Sequence, residues 1–432
     1  MSVRKLLSLL SFSLLYSCSI NSDIKPEDTF VKFYGGDGNF ELVDMIFQDA
    51  NQSGIVLFGT RNGEVIEDEV TYLESNFYVI TVDLDGTVQN EVMLEVDDGA
   101  GTIYHLNDIA GRISATSDGG YLIVGTIKEV PVNSLLLDYI VWARLDASLS
   151  LVGSWNFIGN DFNNYSGTDI TEMADGGVLV SGYTDINGSN DFYYQKIGGT
   201  EPEWTRIENR SNSDDKLIRA LPTENGNYAL FGETEAISGD GETGINVERT
   251  VISPEGIIQN SLIYGISEDG GVRNDSPNDI VERPGGFAIV GTSTLNNLDF
   301  EPFVMLVDLT GAKTGEILYQ NEFSGNPIIN SSGYGLGLVQ LLNNDYFVLG
   351  SITDLQVGNE NRGGEGFVFK TDQDGALQGE ISSYGLVNGD DEFVRGLTSN
   401  DGTVYIGGTY DFGGGLAQMV LLKVNSQGIL KK

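Results

Sequence analysis

The chain has 432 residues, with 63 acidic side chains against 23 Lys and Arg, 57 Gly, one His and one Cys. A formal charge of −40 repels phosphate backbones and anionic membrane surfaces, which excludes nucleic acid and charged lipid as expected partners. One Cys and one His also exclude an intramolecular disulfide and zinc sites of the Cys₄ and Cys₂His₂ types. The apolar fraction of 40% supports a large core and excludes disorder for the chain as a whole.

The N-terminus carries a targeting signal. Arg4 and Lys5 precede a largely apolar run at 6–15, which is too short to cross about 30 Å of hydrocarbon and is typical of a signal peptide. The run ends in Leu15-Tyr16-Ser17-Cys18, which resembles the bacterial lipobox, although Tyr16 is bulkier than its usual occupant. The resemblance implies cleavage before Cys18 and lipidation of its thiol. The alternative is an ordinary secretory signal with an incidental cysteine.

These features predict a signal peptide at 1–17 and a tether at 18–28. We expect an outer-membrane lipoprotein that contacts the membrane through its lipid anchor alone, on either the periplasmic or the cell-surface side. Cleavage removes two positive charges and raises the net negative charge from 40 to 42.

One short pattern recurs along the remaining chain: a Gly or Asp turn, four or five β-forming residues, then Gly, usually followed by Thr or Ser. In chain order, the copies lie at 53–60, 118–126, 175–183, 225–233, 284–292, 343–351 and 401–409. They contain glycines spaced 50 to 66 residues apart, here named the closing glycines: Gly59, Gly125, Gly182, Gly232, Gly291, Gly350 and Gly408. A second β-rich segment and two shorter apolar-alternating stretches accompany each copy. Four short strands per repeat predict a four-stranded antiparallel sheet, and radial repetition predicts an all-β, seven-bladed β-propeller over 29–432.

The two ends of the repeat region complement each other. The last repeat ends after its third strand, with 428–432 where a fourth is expected, whereas 29–36 resembles a fourth strand without its first three. We therefore expect the N-terminal strand to complete the last sheet and close the ring. An open solenoid with capping repeats is the alternative.

Several short motifs accompany the repeats. They are Asp118-Gly119-Gly120-Tyr121, Asp175-Gly176-Gly177, Arg144-Leu145-Asp146, Trp155, Trp204, Tyr34-Gly35-Gly36, Tyr264-Gly265 and Tyr384-Gly385. Together they resemble the secreted propeller repeats of Bacteroidota, although the fourth and sixth copies depart from the pattern at 225–227 and 343–345. The resemblance implies a propeller lipoprotein of unassigned function on the envelope of a Bacteroidota-like bacterium, and it brings no catalytic motif.

Loops on one face of the predicted propeller vary in length, which is where a rigid scaffold usually carries binding. They lie within repeats at 61–76, 127–138, 234–245 and 352–365, and between repeats at 95–108, 158–168, 205–215, 264–277 and 323–335. Ring-bearing side chains there are candidate ligand contacts: Tyr72, Tyr104, His105, Phe162, Tyr165 and Tyr334. The alternative is that these rings pack their own loops against the sheets.

Charged residues recur at one position before the closing glycines. They are Arg112, Asp169, Arg219 and Arg395, each thirteen residues before, and Asp279, twelve residues before. We expect them at the start of the innermost strands, near the channel mouth. A salt-bridge ring, a ligand site that uses the arginines, and coincidence are the three interpretations.

Motifs for catalysis and metal binding are nearly absent. Asp83-Leu84-Asp85-Gly86 and Asp372-Gln373-Asp374-Gly375 resemble part of an EF-hand loop, but the terminal ligand positions are wrong, so hairpin turns are expected. Calcium at the acidic stretches 64–69 or 238–242 is an alternative to simple charge screening. We assign no catalytic residue, cofactor or metal site, and expect a non-enzymatic binding or scaffolding module for an envelope protein or glycan. The alternative is a carboxylate-dependent glycoside hydrolase or lyase, which needs neither His nor Cys.

Overall fold

The computed structural model describes most of the chain from residue 29 to residue 430. The residues it does not describe within that range are 37, 68–69, 97–107, 133–134, 187, 200, 209–212, 240, 242, 267–272, 296–298, 321, 324–331, 354–355, 358–359, 362, 386–388 and 429. The predicted signal peptide, the tether and Cys18 lie outside the described residues. The described part contains no helix long and apolar enough to cross a membrane.

The described strands form a series of antiparallel units, numbered here in chain order. The N-terminal strand is β1 (Phe30–Tyr34). Unit 1 contains β2 (Asn39–Phe47), β3 (Gly54–Glu67), β4 (Val70–Asp83) and β5 (Val88–Leu94). Unit 2 contains β6 (Asp108–Ala115), β7 (Tyr121–Val132), β8 (Leu135–Leu145) and β9 (Asn156–Ile158). Unit 3 contains β10 (Tyr165–Glu172), β11 (Val178–Ile186), β12 (Ser189–Gly198) and β13 (Glu201–Glu208).

The remaining units follow the same plan. Unit 4 contains β14 (Lys216–Pro222), β15 (Tyr228–Thr234), β16 (Asn246–Ile252) and β17 (Ile258–Tyr264). Unit 5 contains β18 (Arg273–Arg283), β19 (Gly286–Leu295), β20 (Asp299–Asp308) and β21 (Lys313–Leu318). Unit 6 contains β22 (Gly333–Gln340), β23 (Tyr346–Ile352), the short β24 (Gln356–Val357) and β25 (Glu360–Asn361), β26 (Gly363–Thr371), β27 (Ser382–Tyr384) and β28 (Gly389–Asp390). Unit 7 contains β29 (Glu392–Thr398), β30 (Val404–Gly413) and β31 (Leu416–Val424).

Within units 1 to 5 the four strands pair antiparallel in chain order, and unit 6 pairs in the order β22-β23-β26-β27. Strand β1 pairs antiparallel with β31, from Phe30 opposite Lys423 to Tyr34 opposite Met419. Unit 7 therefore obtains its fourth strand from the N-terminal end of the described chain. The prediction of an all-β chain built from four-stranded antiparallel sheets is confirmed.

Two segments predicted as loops are largely strand. In 61–76, β3 continues to Glu67 and β4 begins at Val70; in 127–138, β7 continues to Val132 and β8 begins at Leu135. The loop prediction was wrong because it assigned everything between the recurring second-strand and third-strand segments to loops. Backbone pairing extends both hairpins beyond those segments, to Glu67 opposite Val70 and to Val132 opposite Leu135.

A β-bulge in every first strand explains the closing glycines. Each bulge lies where the first strand pairs with the closing glycine of the second. A Cβ on Gly59, Gly182 or Gly350 would fall inside van der Waals contact of a first-strand carbonyl oxygen. The repeat keeps glycine here because only a residue without a side chain allows this close approach.

The residue after the closing glycine joins neighbouring units. Thr60 Oγ1 accepts a hydrogen bond from the backbone N–H of Ala110 at 3.1 Å, and Thr126 Oγ1 accepts one from Gly167 at 3.0 Å. Thr409 of unit 7 accepts the corresponding bond from Leu42 of unit 1, also at 3.1 Å.

The recurrent tyrosine of the fourth strand has a similar role. The Tyr264 hydroxyl donates to the carbonyl of Gly311 in the next unit at 2.8 Å, and Tyr34 of β1 donates to Gly86 of unit 1 at 2.9 Å. Apolar side chains fill the space between adjacent sheets; for example, Phe58 of unit 1 lies in one core cluster with residues of unit 2. The residues that recur in the sequence are thus largely those that make contacts between neighbouring units.

Candidate functional site

The first strands of neighbouring units pack against one another, and β29 of the last unit packs against β2 of the first. Directly after each bulge, one residue pairs with the residue that precedes the closing glycine. In chain order these residues are Asp44, Arg112, Asp169, Arg219, Asp279, Gly337 and Arg395. Acid and base alternate, and glycine takes one place because an odd number of positions cannot alternate throughout. We name the six charged residues the Asp–Arg ring.

Buried ion pairs connect the members of the Asp–Arg ring. Arg112 lies 3.2 Å from Asp44 through Nη1 and 3.7 Å from Asp169 through Nε. Arg219 pairs with Asp279 through Nη1. Arg395 lies 3.1 Å from Asp44 and 3.2 Å from Asp279. Three carboxylates and three guanidiniums therefore neutralise one another.

Arg395 reaches Asp279 past unit 6, where the equivalent residue is Gly337. A Cβ on Gly337 would collide with the backbone carbonyl of Val394. The glycine therefore allows the first strands of units 6 and 7 to approach closely, and it leaves the path between Arg395 and Asp279 free of a side chain.

The ring carboxylates also bind backbone N–H groups of the next unit. Asp44 Oδ2 accepts from Ile113 at 3.1 Å. Asp169 Oδ2 accepts from Ala220 at 2.7 Å, and Asp279 Oδ2 accepts from Leu338 at 3.3 Å. Each aspartate thus joins an odd-numbered unit to the even-numbered unit that follows it.

Burial and charge act in opposite directions on the ring acids. Burial raises the pKa of Asp169, although Arg112 and Arg219 oppose this shift. Burial acts in the same direction on Asp279, but the guanidiniums of Arg395, Arg219 and Arg112 outweigh it and hold its pKa below the usual value. Asp279 is therefore ionised at neutral pH, which suits an ion-pair partner and not a general acid.

A cavity of about 330 Å³ lies against the Asp–Arg ring. Besides the ring, its lining is mainly aliphatic and includes Met45, Ile46, Ile113, Ile170, Leu221, Val281, Leu338 and Leu397. These residues follow the ring positions along the first strands, toward the turns between first and second strands. The cavity therefore lies on the opposite side from the variable loops that the sequence indicated.

The structure brings together all five charged residues that the spacing singled out, and adds Asp44. The spacing of twelve or thirteen residues before the closing glycine did not identify Asp44, which lies fifteen residues before Gly59. The spacing is larger here because the hairpin between β2 and β3 is longer than its counterparts. The pairing register identifies Asp44, because this residue lies opposite Phe58, the residue that precedes Gly59. The expected position near the channel mouth was wrong: Arg112, for example, lies in the middle of β6, because the bulge precedes the charged residue.

The candidate aromatic contacts lie on different units. Phe162 is 81% exposed. Tyr165 is buried, accepts a hydrogen bond from Asn160 Nδ2 at 2.7 Å, and packs edge-on against Tyr193. Tyr334 packs against Phe300, with ring centroids 4.7 Å apart. Tyr104 and His105 lie outside the described residues, as does the side chain of Tyr72.

Metal-ligand geometry is not found in the described part of the chain, where no group of three or more His, Cys, Asp or Glu side chains could hold an ion. The two sequences that resemble EF-hand loops form turns. Asp83 Oδ1 accepts from the N–H groups of Asp85 and Thr87, and Asp372 Oδ1 accepts from Asp374 and Ala376. These carboxylates stabilise hairpins, as predicted.

The chain matches no protein-family model and no curated protein. Among solved structures it is similar to YCF48 from Cyanidioschyzon merolae, with TM-score 0.47, 10% identity, and coverage of 91% of this chain and 98% of that one. A Dyadobacter fermentans DSM 18053 protein of unknown function gives TM-score 0.47, 10% identity, and coverage of 91% and 97%. The α-L-arabinanase of Penicillium chrysogenum, complexed with arabinobiose, gives TM-score 0.42, 13% identity, and coverage of 74% and 93%.

Proposed function

We propose that the chain is a closed, seven-bladed β-propeller that serves as a binding module on a bacterial outer membrane. Each unit supplies one blade, and β1 completes the last. Contacts between units 7 and 1 support closure, because they repeat those made elsewhere: Thr409 binds Leu42 as Thr60 binds Ala110. Arg395 likewise binds Asp44 across this junction.

The saturation of the ring carboxylates favours binding over catalysis. Asp44, Asp169 and Asp279 each accept a backbone N–H from the next unit while they face arginines. A glycosidase needs one carboxyl to give up a proton and another to attack the sugar or activate water. Carboxylates held in this way stabilise the scaffold and leave recognition to the rest of the cavity and the loops.

A carboxylate-dependent hydrolase is the second candidate. Three carboxyl groups converge on one cavity, and burial raises the pKa of Asp169, as a general acid requires. Polysaccharide turnover that is lost in Asp169→Asn but retained in the exposed variant Asp118→Asn would establish this candidate and overturn the binding function.

Crosslinking in native membranes tests the binding function. The full-length protein should capture one envelope protein or glycan in constant stoichiometry, without turnover of polysaccharides. The exposed ring of Phe162 offers a probe of the loop face, since truncating an aromatic side chain at an interface hot spot costs more than tenfold in affinity. Phe162→Ala should weaken capture if the partner binds this face, and the exposed Phe157→Ala on β9 is the matched control.

The anchor is tested separately. We propose that Cys18 is lipidated and is the mature N-terminus, because the lipobox follows an apolar segment of signal-peptide length. Mass spectrometry should find residues 1–17 missing and a protein that partitions into detergent. A Cys18→Ala protein that still partitions with membranes would contradict the proposal.

A further inference from the structure

The three arginines of the Asp–Arg ring carry N–H groups that do not donate to the described part of the protein. Arg112 donates through Nη1 to Asp44, and its Nε lies 3.7 Å from Asp169, beyond hydrogen-bond distance. Arg219 uses Nη1 on Asp279 and on the carbonyl of Ile280, and Arg395 uses Nε and Nη1. Within the described residues, Nη2 of each of the three guanidiniums makes no hydrogen bond to the protein.

Each oxygen of the three ring carboxylates already accepts a hydrogen bond. Asp44 and Asp279 divide their oxygens between guanidiniums and backbone N–H groups. Asp169 accepts from the backbone N–H groups of Ile170 and Ala220. The ring is therefore neutral in charge but rich in hydrogen-bond donors. A ligand that complements it must bring acceptors, and a carboxylate matches guanidinium geometry well.

The cavity shows where this ligand would lie and what else it carries. All three arginines line it, and the side chains of Arg219 and Arg395 are 23% and 12% exposed there. The wall beyond them is aliphatic, and the described lining contains no aromatic ring. Sugars usually stack on aromatic faces in their sites, whereas aliphatic chains are buried by walls of this kind.

We propose that the central cavity binds one small aliphatic carboxylic acid. The carboxylate accepts hydrogen bonds from the free Nη2 groups, and the hydrocarbon part packs against Leu221, Val281 and Leu397. The inference rests on the proposed binding function and specifies its ligand. The negative charge of the chain does not prevent binding, because charges beyond about 8 Å are screened at physiological salt while charge-assisted hydrogen bonds act at contact.

Calorimetric titration of the full-length protein with hexanoate tests the proposal. One molecule should bind per chain, and hexanamide, which has the same hydrocarbon chain without the charge, should bind at least about tenfold more weakly, a difference of about 1.4 kcal/mol. Equal binding of acid and amide, or no heat with hexanoate, would overturn it. Inorganic phosphate that binds as tightly as hexanoate would overturn the role of the aliphatic wall.

Two threonines give a matched pair of variants that leave the ring intact. Thr171 lines the cavity, whereas Thr205 lies exposed on the outermost strand of the same unit. Thr171→Glu should weaken hexanoate binding about tenfold or more by repulsion, and Thr205→Glu, with the same change in net charge, should not. Equal effects would refute the location. A parent protein that captures its envelope partner but binds no hexanoate would refute this inference and leave the proposed function standing.

Discussion

Asp279 of unit 5 contacts residues of three other units. It is 2% exposed, pairs with Arg219 and Arg395, and accepts the N–H of Leu338 from the next unit. It thus links units 4, 5, 6 and 7. Removing one partner of a buried ion pair leaves the other charge uncompensated, which costs more than the pair itself contributes.

Asp279→Asn should therefore lower the free energy of unfolding by about 3 kcal/mol, because the amide retains an acceptor for Leu338 but leaves Arg219 without its ion-pair partner and Arg395 with Asp44 alone. Urea denaturation measures the loss. Asp118→Asn is the control: this turn carboxylate also pairs with an arginine, but it is 63% exposed, so solvent screens the pair and the loss of stability should be much smaller. Similar losses for the two variants would show that the ring contributes no more than a surface pair.

Asp108, at the start of β6, predicts a dependence of stability on pH. It is 4% exposed, and its Oδ1 has no hydrogen-bond partner in the described part of the chain. Burial, with a smaller contribution from Glu74, raises its pKa to about 8. In the unfolded chain this carboxyl titrates near its ordinary value of about 4. Between these two values the folded state holds the proton more tightly, so stability from this group is present at low pH and is lost as pH rises toward 8.

Asp108→Asn should remove this dependence. The parent protein should lose stability from about pH 5 to about pH 8, whereas the variant should not. The unfolding free energy of the variant minus that of the parent should therefore rise by about 1 kcal/mol or more over this range, since one pKa unit corresponds to about 1.4 kcal/mol. Denaturation at both pH values measures the difference. Asp146→Asn, a change in an exposed turn whose pKa is lowered by hydrogen bonds from Ser148, should show no such gain. If the difference in unfolding free energy between Asp108→Asn and the parent is the same at both pH values, the carboxyl is not desolvated.

The bulge in the first strand leaves no room for a side chain at the closing glycine of each repeat. Gly182→Ala should destabilise the protein by about 1 to 3 kcal/mol, because the new methyl group would press on the carbonyl of Ser166 and force the two strands apart. Gly63→Ala, also in the second strand of a unit, is the control, since among the described residues its Cβ would meet nothing closer than the Arg61 side chain at 3.9 Å. Thermal unfolding distinguishes the two. A neutral Gly182→Ala would show that the bulge relaxes freely.

These contacts explain which features of the strands could be predicted. The glycine spacing revealed the second strand of each unit because sterics tie that glycine to the bulge. The lengths of the β3–β4 and β7–β8 hairpins could not be predicted, because pairing there continues beyond the segments that recur in every repeat. Five ring charges followed from counting, whereas Asp44 required the pairing register. The contact of Arg395 with Asp279 depends on how units 5, 6 and 7 pack, which no local pattern encodes.

The pairing of β1 with β31 makes the two ends of the described chain interdependent. Deleting residues 29–36 would leave β31 as an open edge and remove the hydrogen bond from Tyr34 to Gly86. We expect a loss of several kcal/mol, visible as a lower melting temperature, together with a greater tendency to aggregate. A deletion variant with an unchanged melting temperature would show that β1 does not hold the last unit.

Closure of the ring can be measured by comparing its junctions. Thr60 and Thr409 are 5% and 7% exposed, and each accepts a backbone hydrogen bond at 3.1 Å, one between units 1 and 2 and the other between units 7 and 1. Valine has the same shape as threonine but cannot accept, so either substitution leaves a buried N–H unsatisfied and should cost about 1 to 3 kcal/mol. In a closed ring, Thr409→Val and Thr60→Val should lower the unfolding free energy by similar amounts, because each removes the same kind of hydrogen bond between neighbouring units. In an open array the terminal units would separate, Leu42 would bind water, and Thr409→Val would cost almost nothing. Urea denaturation of the two variants therefore reports on the architecture of the entire chain through one hydroxyl group at each junction.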